Sequence, residues 1–569
     1  MPAGGAGLLL LPSVVLILAG LVLLRLRGPA RDALALLVPA VAAVLAWLPG
    51  LPVPATVPWL GYDLVPFRAD PLSRLISTVF LVALAGGALF ALRQKNPREL
   101  ALAFVYAGGA VGVVHAGDLV TLFFFWEAMA LASTLIVWQG GAEARGAGLR
   151  YLALHLLGGV VLMAGIAGHV AETGSIAFDA IGSGGVARWL ILGGFLVNAA
   201  AWPLSAWLPD AYPAASWSGA VFLSAFTTKT AVYVLLRGFP GEAVLIPVGL
   251  AMVFYGIVYA FLENDIRRIL AYAIVNQVGL MVTAIGIGTP MALNGAAATA
   301  AVHIVYKALL LMAAGALLLS TGRSKATELG GVLRTMPLVA ACAIVGVLSF
   351  AAFPLTSGFV AKAMIADAAA GAGLAVPWFL LTAASAATGG AGLAVVWFLV
   401  ASAWLSGRDA GGASPVRLPR SMQAAMIAFA ALSLAIGILP GPLYALLPLP
   451  VDYAPYTASH VVGQLQVLAF AGLGFGLALS RLPRARTITL DVDWLWRGRG
   501  RRLPPGSAAG GGRFWSARGR RVARDGGRVL AAVYRHHGPE GVLAREWPTG
   551  SMAFWAVLLL GGTLVLYYF

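Results

Sequence analysis

The stretch ATAAVHIVYKALLLMAAGALL, residues 298–318, holds only two side chains that can carry a charge, His303 and Lys307. About 20 consecutive apolar residues are needed to cross a bilayer as a helix, so this stretch reads as one span. An ionisable group at membrane depth is costly and is a functional candidate by default. His303 and Lys307 are four residues apart and therefore share one face of their helix.

The pattern repeats outward in both directions. Of 569 residues, 60% are hydrophobic and 11% are charged, and the mean hydropathy is +0.88. A soluble domain is about 45–50% apolar and about 25% charged. This much apolar surface has no place in one water-soluble core. The chain reads as an all-α polytopic protein of the cell (inner) membrane, with sixteen spans from 7–27 to 551–569. The N-terminus has no basic n-region, so 7–27 reads as a first span and not as a cleaved signal. A lone cysteine, Cys342, excludes an intrachain disulfide framework and a cysteine metal site. It reads as a small core hydrophobe.

The net charge of +16 does not point to nucleic acid, because the basic residues gather in short loops between apolar segments. Arg25, Arg27 and Arg31 flank the end of the first span, Arg93, Lys95 and Arg98 follow the third, and Arg145 and Arg150 the fifth. Arg267 and Arg268, then Arg323, Lys325 and Arg334, then Arg408, Arg417 and Arg420 continue the series. Lysine and arginine mark cytoplasmic loops, so odd-numbered spans end in the cytoplasm. Arg237 falls on the opposite side and stands outside this rule.

Composition divides the chain into N-terminal spans (1–99), a core (100–450), one further span (451–481), a basic segment (482–547) and a last span (548–569). The basic segment sets arginines beside Trp494, Trp496, Phe514 and Trp515. That pairing suits the anionic lipid headgroups of the cytoplasmic leaflet.

WPLSAWLPD (202–210) and FPLTSGFVAK (353–362) share an aromatic-Pro-Leu-hydroxyl core inside or beside apolar spans. Pro203 and Pro354 break their helices there. Paired broken helices in corresponding halves point to a transport site.

The other intramembrane ionisable residues are Glu127, Lys229, Lys362 and His155. Glu127 has no basic neighbour in its own span, and Lys229 is its expected partner. A buried lysine beside a carboxylate is balanced between desolvation and attraction, which suits a proton relay. His155 reads first as a packing residue and second as a relay member. Charges on several separate helices favour conduction over a purely structural role.

Glu127 lies in FFFWEAM, and PLSAWLPDAYPAAS follows the first break. TTKTAVYVLLR surrounds Lys229, ENDIRRILAYAIVNQVG spans 263–279, and HIVYKALL, LGGVLRTMP and FPLTSGFVAK follow. Over about 60–450 the chain resembles the antiporter-like subunits shared by respiratory complex I and Mrp-type Na+/H+ antiporters. It is more similar to the D-type subunit of the Mrp antiporter than to the complex I subunits. The resemblance implies a fourteen-helix core of two inverted five-helix repeats, each with a broken helix, leaving about two C-terminal helices outside it. It implies a proton relay of Glu127, Lys229, His303, Lys307 and Lys362, with Glu127 and Lys229 as the first charge pair and Lys362 as the outlet. Other membrane subunits would be partners, and protons and Na+ or another monovalent cation the cargo, with neither metal nor cofactor. The family places a lysine five residues before the first break's proline, where this chain has Asn198. Asparagine can hold a water but cannot carry the proton.

Two other classes stay open on these residues. One is a proton-pumping membrane subunit of a complex I-like NADH:quinone oxidoreductase or a membrane-bound hydrogenase, although no flavin, quinone or cluster motif is recognisable. The other is a scaffold that has lost transport, suggested by Asn198.

Overall fold

The computed structural model describes residues 7–182, 184–329, 332–396, 418–478 and 491. The basic segment 482–547, with its lipid contact, and the span 548–569 lie outside the described residues apart from Asp491. All elements below belong to a unit running from Met1 to Thr489.

Lipid offers no hydrogen bonds, so a backbone crossing it satisfies itself as helix. Helices α1 (Pro12–Leu23), α2 (Gly28–Trp47), α3 (Pro71–Ala91), α4 (Pro97–His115), α5 (Leu119–Trp138) and α6 (Ala144–Thr173) form the N-terminal part. The middle is α7 (Val186–Asn198), α8 (Trp207–Ala214), α9 (Gly219–Ala225), α10 (Thr227–Gly238), α11 (Leu245–Leu262), α12 (Ile266–Ile287) and α13 (Pro290–Thr321). The series closes with α14 (Pro337–Phe350), α15 (Ser357–Gly371), α16 (Ala375–Val396), α17 (Arg420–Ile438) and α18 (Ala458–Ala478). As far as the described residues reach, the first fifteen expected spans each fall on one helix or on a pair of half-helices. Among the described residues eleven helices, the kinked stretch Gly219–Gly238 counted as one, are long and apolar enough to cross a membrane, and three shorter apolar helices accompany them. The one sheet among the described residues is a hairpin, β1 (Val57–Trp59) and β2 (Tyr62–Leu64), paired antiparallel.

The sequence starts its helices with polar caps and prolines. Asp70 and Ser73 make a reciprocal capping box on α3, and Pro71 occupies the first turn. Asp118 explains how α4 and α5 stay separate across a three-residue link. One of its oxygens accepts from the Thr121 amide at 2.7 Å, and the other from the Val65 amide at 2.7 Å.

Helix α13 is buried over nearly its whole length. It is the hub of the core, packing against α3, α9, α10, α12, α14, α15 and α17. Cys342 is buried on α14.

The helix ends before the two prolines have the same backbone. Helix α7 ends with Ala200 left-handed (φ +59°), and α14 ends with Ala352 left-handed (φ +57°). In each, the left-handed residue's N–H and the next one close the six-to-one and five-to-two bonds of a Schellman end. Ala200 and Ala201 donate to Val197 and Leu196, and Ala352 and Phe353 donate to Ser349 and Leu348. At the ordinary end of α15 the left-handed position is Gly373. Alanine there costs about 1–2 kcal/mol, so both breaks hold strain that an ordinary helix end avoids.

A third interruption has no counterpart in the sequence pattern. The span 216–237 reads as one helix, but α9 stops at Ala225 and α10 begins at Thr227, with Phe226 between them at φ −103°, ψ −68°. No proline or glycine at Phe226 announces it.

Candidate functional site

His303 and Lys307 lie on one stripe of α13, and both are fully buried. The Phe350 ring, at the end of half-helix α14, separates two ammonium groups. Lys307 Nζ is 4.3 Å from its centroid and Lys362 Nζ is 5.1 Å. Lys362 also donates to the Phe350 carbonyl, one of the carbonyls that the end of α14 leaves free. A helix C-terminus carries partial negative charge and favours a cation. Lys307 Nζ and both ring nitrogens of His303 have no hydrogen-bond partner among the described residues. Helix α13, which carries His303 and Lys307, packs against both α10, which carries Lys229, and α15, which carries Lys362. The structure thus brings four of the expected residues into one cluster.

Lys229 repeats the arrangement at the kink. Its Nζ donates to the Ser224 carbonyl at 2.7 Å, at the end of α9, and to Thr228 Oγ1 at 3.1 Å. Each lysine beside an interrupted helix is therefore seated on a carbonyl that the interruption releases.

Glu127 stands apart. The expected Glu127–Lys229 ion pair is absent among the described residues, because the Lys229 ammonium is already satisfied by Ser224 and Thr228. Glu127 is half-buried on α5 and faces α6, where a side-chain carbon at Gly159 would meet Glu127 Oε1. That oxygen has no hydrogen-bond partner. His155, one turn before Gly159 on α6, stacks on Tyr151 at 3.9 Å and meets Trp207 edge-on at 4.7 Å. Its Nδ1 is bonded to the Tyr151 carbonyl at 2.9 Å, and its Nε2 is buried without a partner. Asn198, the last residue of α7, is fully buried, and neither amide atom has a partner among the described residues. Pro203 and Pro354 lie in the non-helical links that follow the two left-handed alanines.

Several participants carry no charge and so escape a search of the sequence for ionisable groups. Tyr306 donates to Gln277 Oε1 at 3.0 Å, Gln277 donates to Asn276 Oδ1 at 2.5 Å, and Thr388 lies 3.4 Å from that same oxygen. Thr388 lines a cavity that Lys362 also lines. An amide–hydroxyl chain therefore runs from the His303–Lys307 stripe to the Lys362 side. A second chain, Ser133–Tyr151–Thr227–Tyr106, lies in the first half, with separations of 2.9, 3.4 and 2.6 Å. The signal that could have found them is polar residues inside apolar helices, Asn276-Gln277 above all.

At the ends of the bundle the charges pair. Arg237 donates to Tyr233 Oη at 2.9 Å and to Asp70, which explains the one arginine that breaks the loop bias. Burial pushes the Asp70 carboxyl up, but the Ser73 amide and the Arg237 and Arg68 guanidiniums outweigh it and hold it below its ordinary value. Among the described residues no three His, Cys, Asp or Glu side chains gather as a metal site.

Residues 116–388 match the family model described as NADH:quinone oxidoreductase/Mrp antiporter, transmembrane. The chain is 31% identical over 280 residues to the D-type subunit of the Na(+)/H(+) antiporter of Alkalihalophilus pseudofirmus, covering 46% of this chain and 57% of that protein. It is also 31% identical to the A/B subunit of a probable K(+)/H(+) antiporter of Rhizobium meliloti, covering 54% of this chain and 33% of that protein. The chain thus spans a third to under three fifths of the length of these relatives. The Mrp complex from Dietzia sp. DQ12-45-1b has the same fold, at a TM-score of 0.63 and 23% identity, over 82% of this chain and 97% of that one. The chain is a multi-pass membrane protein of the antiporter-like fold.

Proposed function

We propose that this chain is a proton-translocating subunit of a multisubunit monovalent cation/proton antiporter. The single observation that carries the reading is the cluster of Lys229, His303, Lys307 and Lys362 on three helices, α10, α13 and α15, with α13 packed against both of the others. Lysine can lose and regain a proton where arginine cannot, and the Tyr306–Gln277–Asn276–Thr388 chain offers hydroxyl and amide groups alongside. A proton on one lysine raises the energy of a proton on the next, so occupancy passes along the row. Glu127, which lacks a fixed cationic partner, acts as the gate at the first-half end. The match to the D-type subunit of an Na+/H+ antiporter supports Na+ as the cation driven elsewhere in the complex. The role is transport and not catalysis.

Lys307→Ala and Glu127→Gln, each in the assembled complex in inverted membrane vesicles, test it. Both should cut cation-dependent proton movement by about a hundredfold, the low end of what positioned proton carriers contribute. Full activity in both variants would remove the assignment.

A further inference from the structure

Lys362 opens onto a cavity of about 80 Å³ bounded by α12, α15, α16 and α18, with room for several water molecules. Its polar wall is Thr382, Ser385, Thr388 and Gln464. Gln464 also donates to the Ala351 carbonyl at 3.2 Å, which ties α18 to the second helix break. On α15 the wall reaches Ala366, and the next residue toward the outer face is Asp367. On α18 the residue one turn outward from Gln464 is His460.

These two residues meet above the cavity. His460 Nε2 lies 3.3 Å from Asp367 Oδ2, and the side chains are 28% and 34% exposed. Tyr453 donates to the same Asp367 oxygen at 2.7 Å, and its ring stacks on the imidazole with centroids 5.7 Å apart. His460 Nδ1, on the other side of the ring, is buried and without a partner among the described residues. Of the two remaining walls, α12 reaches the cavity with Leu280, and α16 carries no titratable side chain from Ala375 to Val396. Asp367 and Tyr453 are thus the titratable groups set against His460, one turn beyond the Gln464 end of the cavity that Lys362 lines.

We propose that His460 and Asp367 are the outer exit of the proton path. The exit rests on the proton-conduction reading above. A proton leaving the Lys362 ammonium crosses the cavity through water and is taken up at His460 Nδ1. The imidazole gives its Nε2 proton to the Asp367 carboxylate, which releases it to the outer solution. Lys362 is left neutral, ready to be reloaded from Lys307. Imidazole suits this because it takes a proton at one nitrogen and gives one from the other near neutral pH.

The assembled complex in inverted vesicles tests the exit with three variants. His460→Gln keeps a hydrogen bond to Asp367 but cannot shuttle a proton, so a bracing role would survive it and a relay role would not. Antiport should fall about a hundredfold in His460→Gln, Asp367→Asn and His460→Ala. Imidazole should restore His460→Ala several-fold where the same concentration of phosphate does not. Wild-type transport in His460→Gln, or a loss in His460→Ala that imidazole leaves untouched, overturns the exit. Lys307→Ala, assayed beside them, separates the two claims. If Lys307→Ala abolishes transport while the His460 variants retain it, only the exit fails. If Lys307→Ala itself transports normally, the conduction reading fails with it.

Discussion

At the scale of single residues, the placement of Glu127 depends on the absence of a side chain opposite it. A carbon added at Gly159 would land on the Glu127 carboxylate, the far end of a flexible side chain and not backbone. Gly159→Ala should therefore move the carboxylate while leaving the helices in place. Thermal unfolding in detergent should be unchanged, while antiport falls. Gly193→Ala, whose new carbon would find only Val161 at 4.0 Å, should alter neither. Equal transport in the two variants would show that the position of Glu127 is unimportant. The sequence made the identity of these residues legible, because a charge in an apolar stretch stands out. It did not make their partners legible. Whether Lys229 reaches Glu127 or a neighbouring carbonyl depends on how α5 and α10 are rotated, and α5, with no polar face, leaves its own rotation unmarked.

At the scale of elements, the two proline breaks were readable because proline removes a backbone donor and clashes with the preceding turn. The kink at Phe226 was not, because ordinary residues build it and only tertiary packing holds it. The second break shows how tight that packing is. A carbon added at Gly358, in the first turn of α15, would run into the Ser349 carbonyl of α14, a backbone atom that cannot step aside. At the other end of α15, Gly371 faces open space within 4 Å. The same substitution should then have opposite signs on one helix. Gly358→Ala should destabilise the protein by about 1–3 kcal/mol through overpacking. Gly371→Ala should be neutral or stabilise it by up to about 1 kcal/mol, as glycine gives way to a better helix former. Paired melting curves of the purified chain decide it; a tolerated Gly358→Ala would mean that the half-helices separate easily.

At the scale of the whole molecule, the orientation argued from loop arginines has one exception, and the exception is a structural tie. Arg237 at the end of α10 pairs with Asp70 at the start of α3, and their side chains are 12% and 28% exposed. The pair joins two elements 167 residues apart in sequence. Asp70→Asn leaves the guanidinium without its counter-charge and should cost about 2 kcal/mol, less than breaking a fully buried pair because solvent screens part of it. Arg237→Met in the same chain should recover much of that loss, since the stranded charge is then gone. The coupling also sets a pH dependence. The Asp70 carboxyl titrates below its ordinary value of 3.8 in the folded chain. Its contribution is therefore complete above that value and is lost as pH falls through the folded one. Melting temperature of the wild type should drop on acidification below about pH 4, and the Asp70→Asn chain should show a shallower fall over the same range. Parallel acid profiles for the two chains would show that Asp70 and Arg237 hold nothing together.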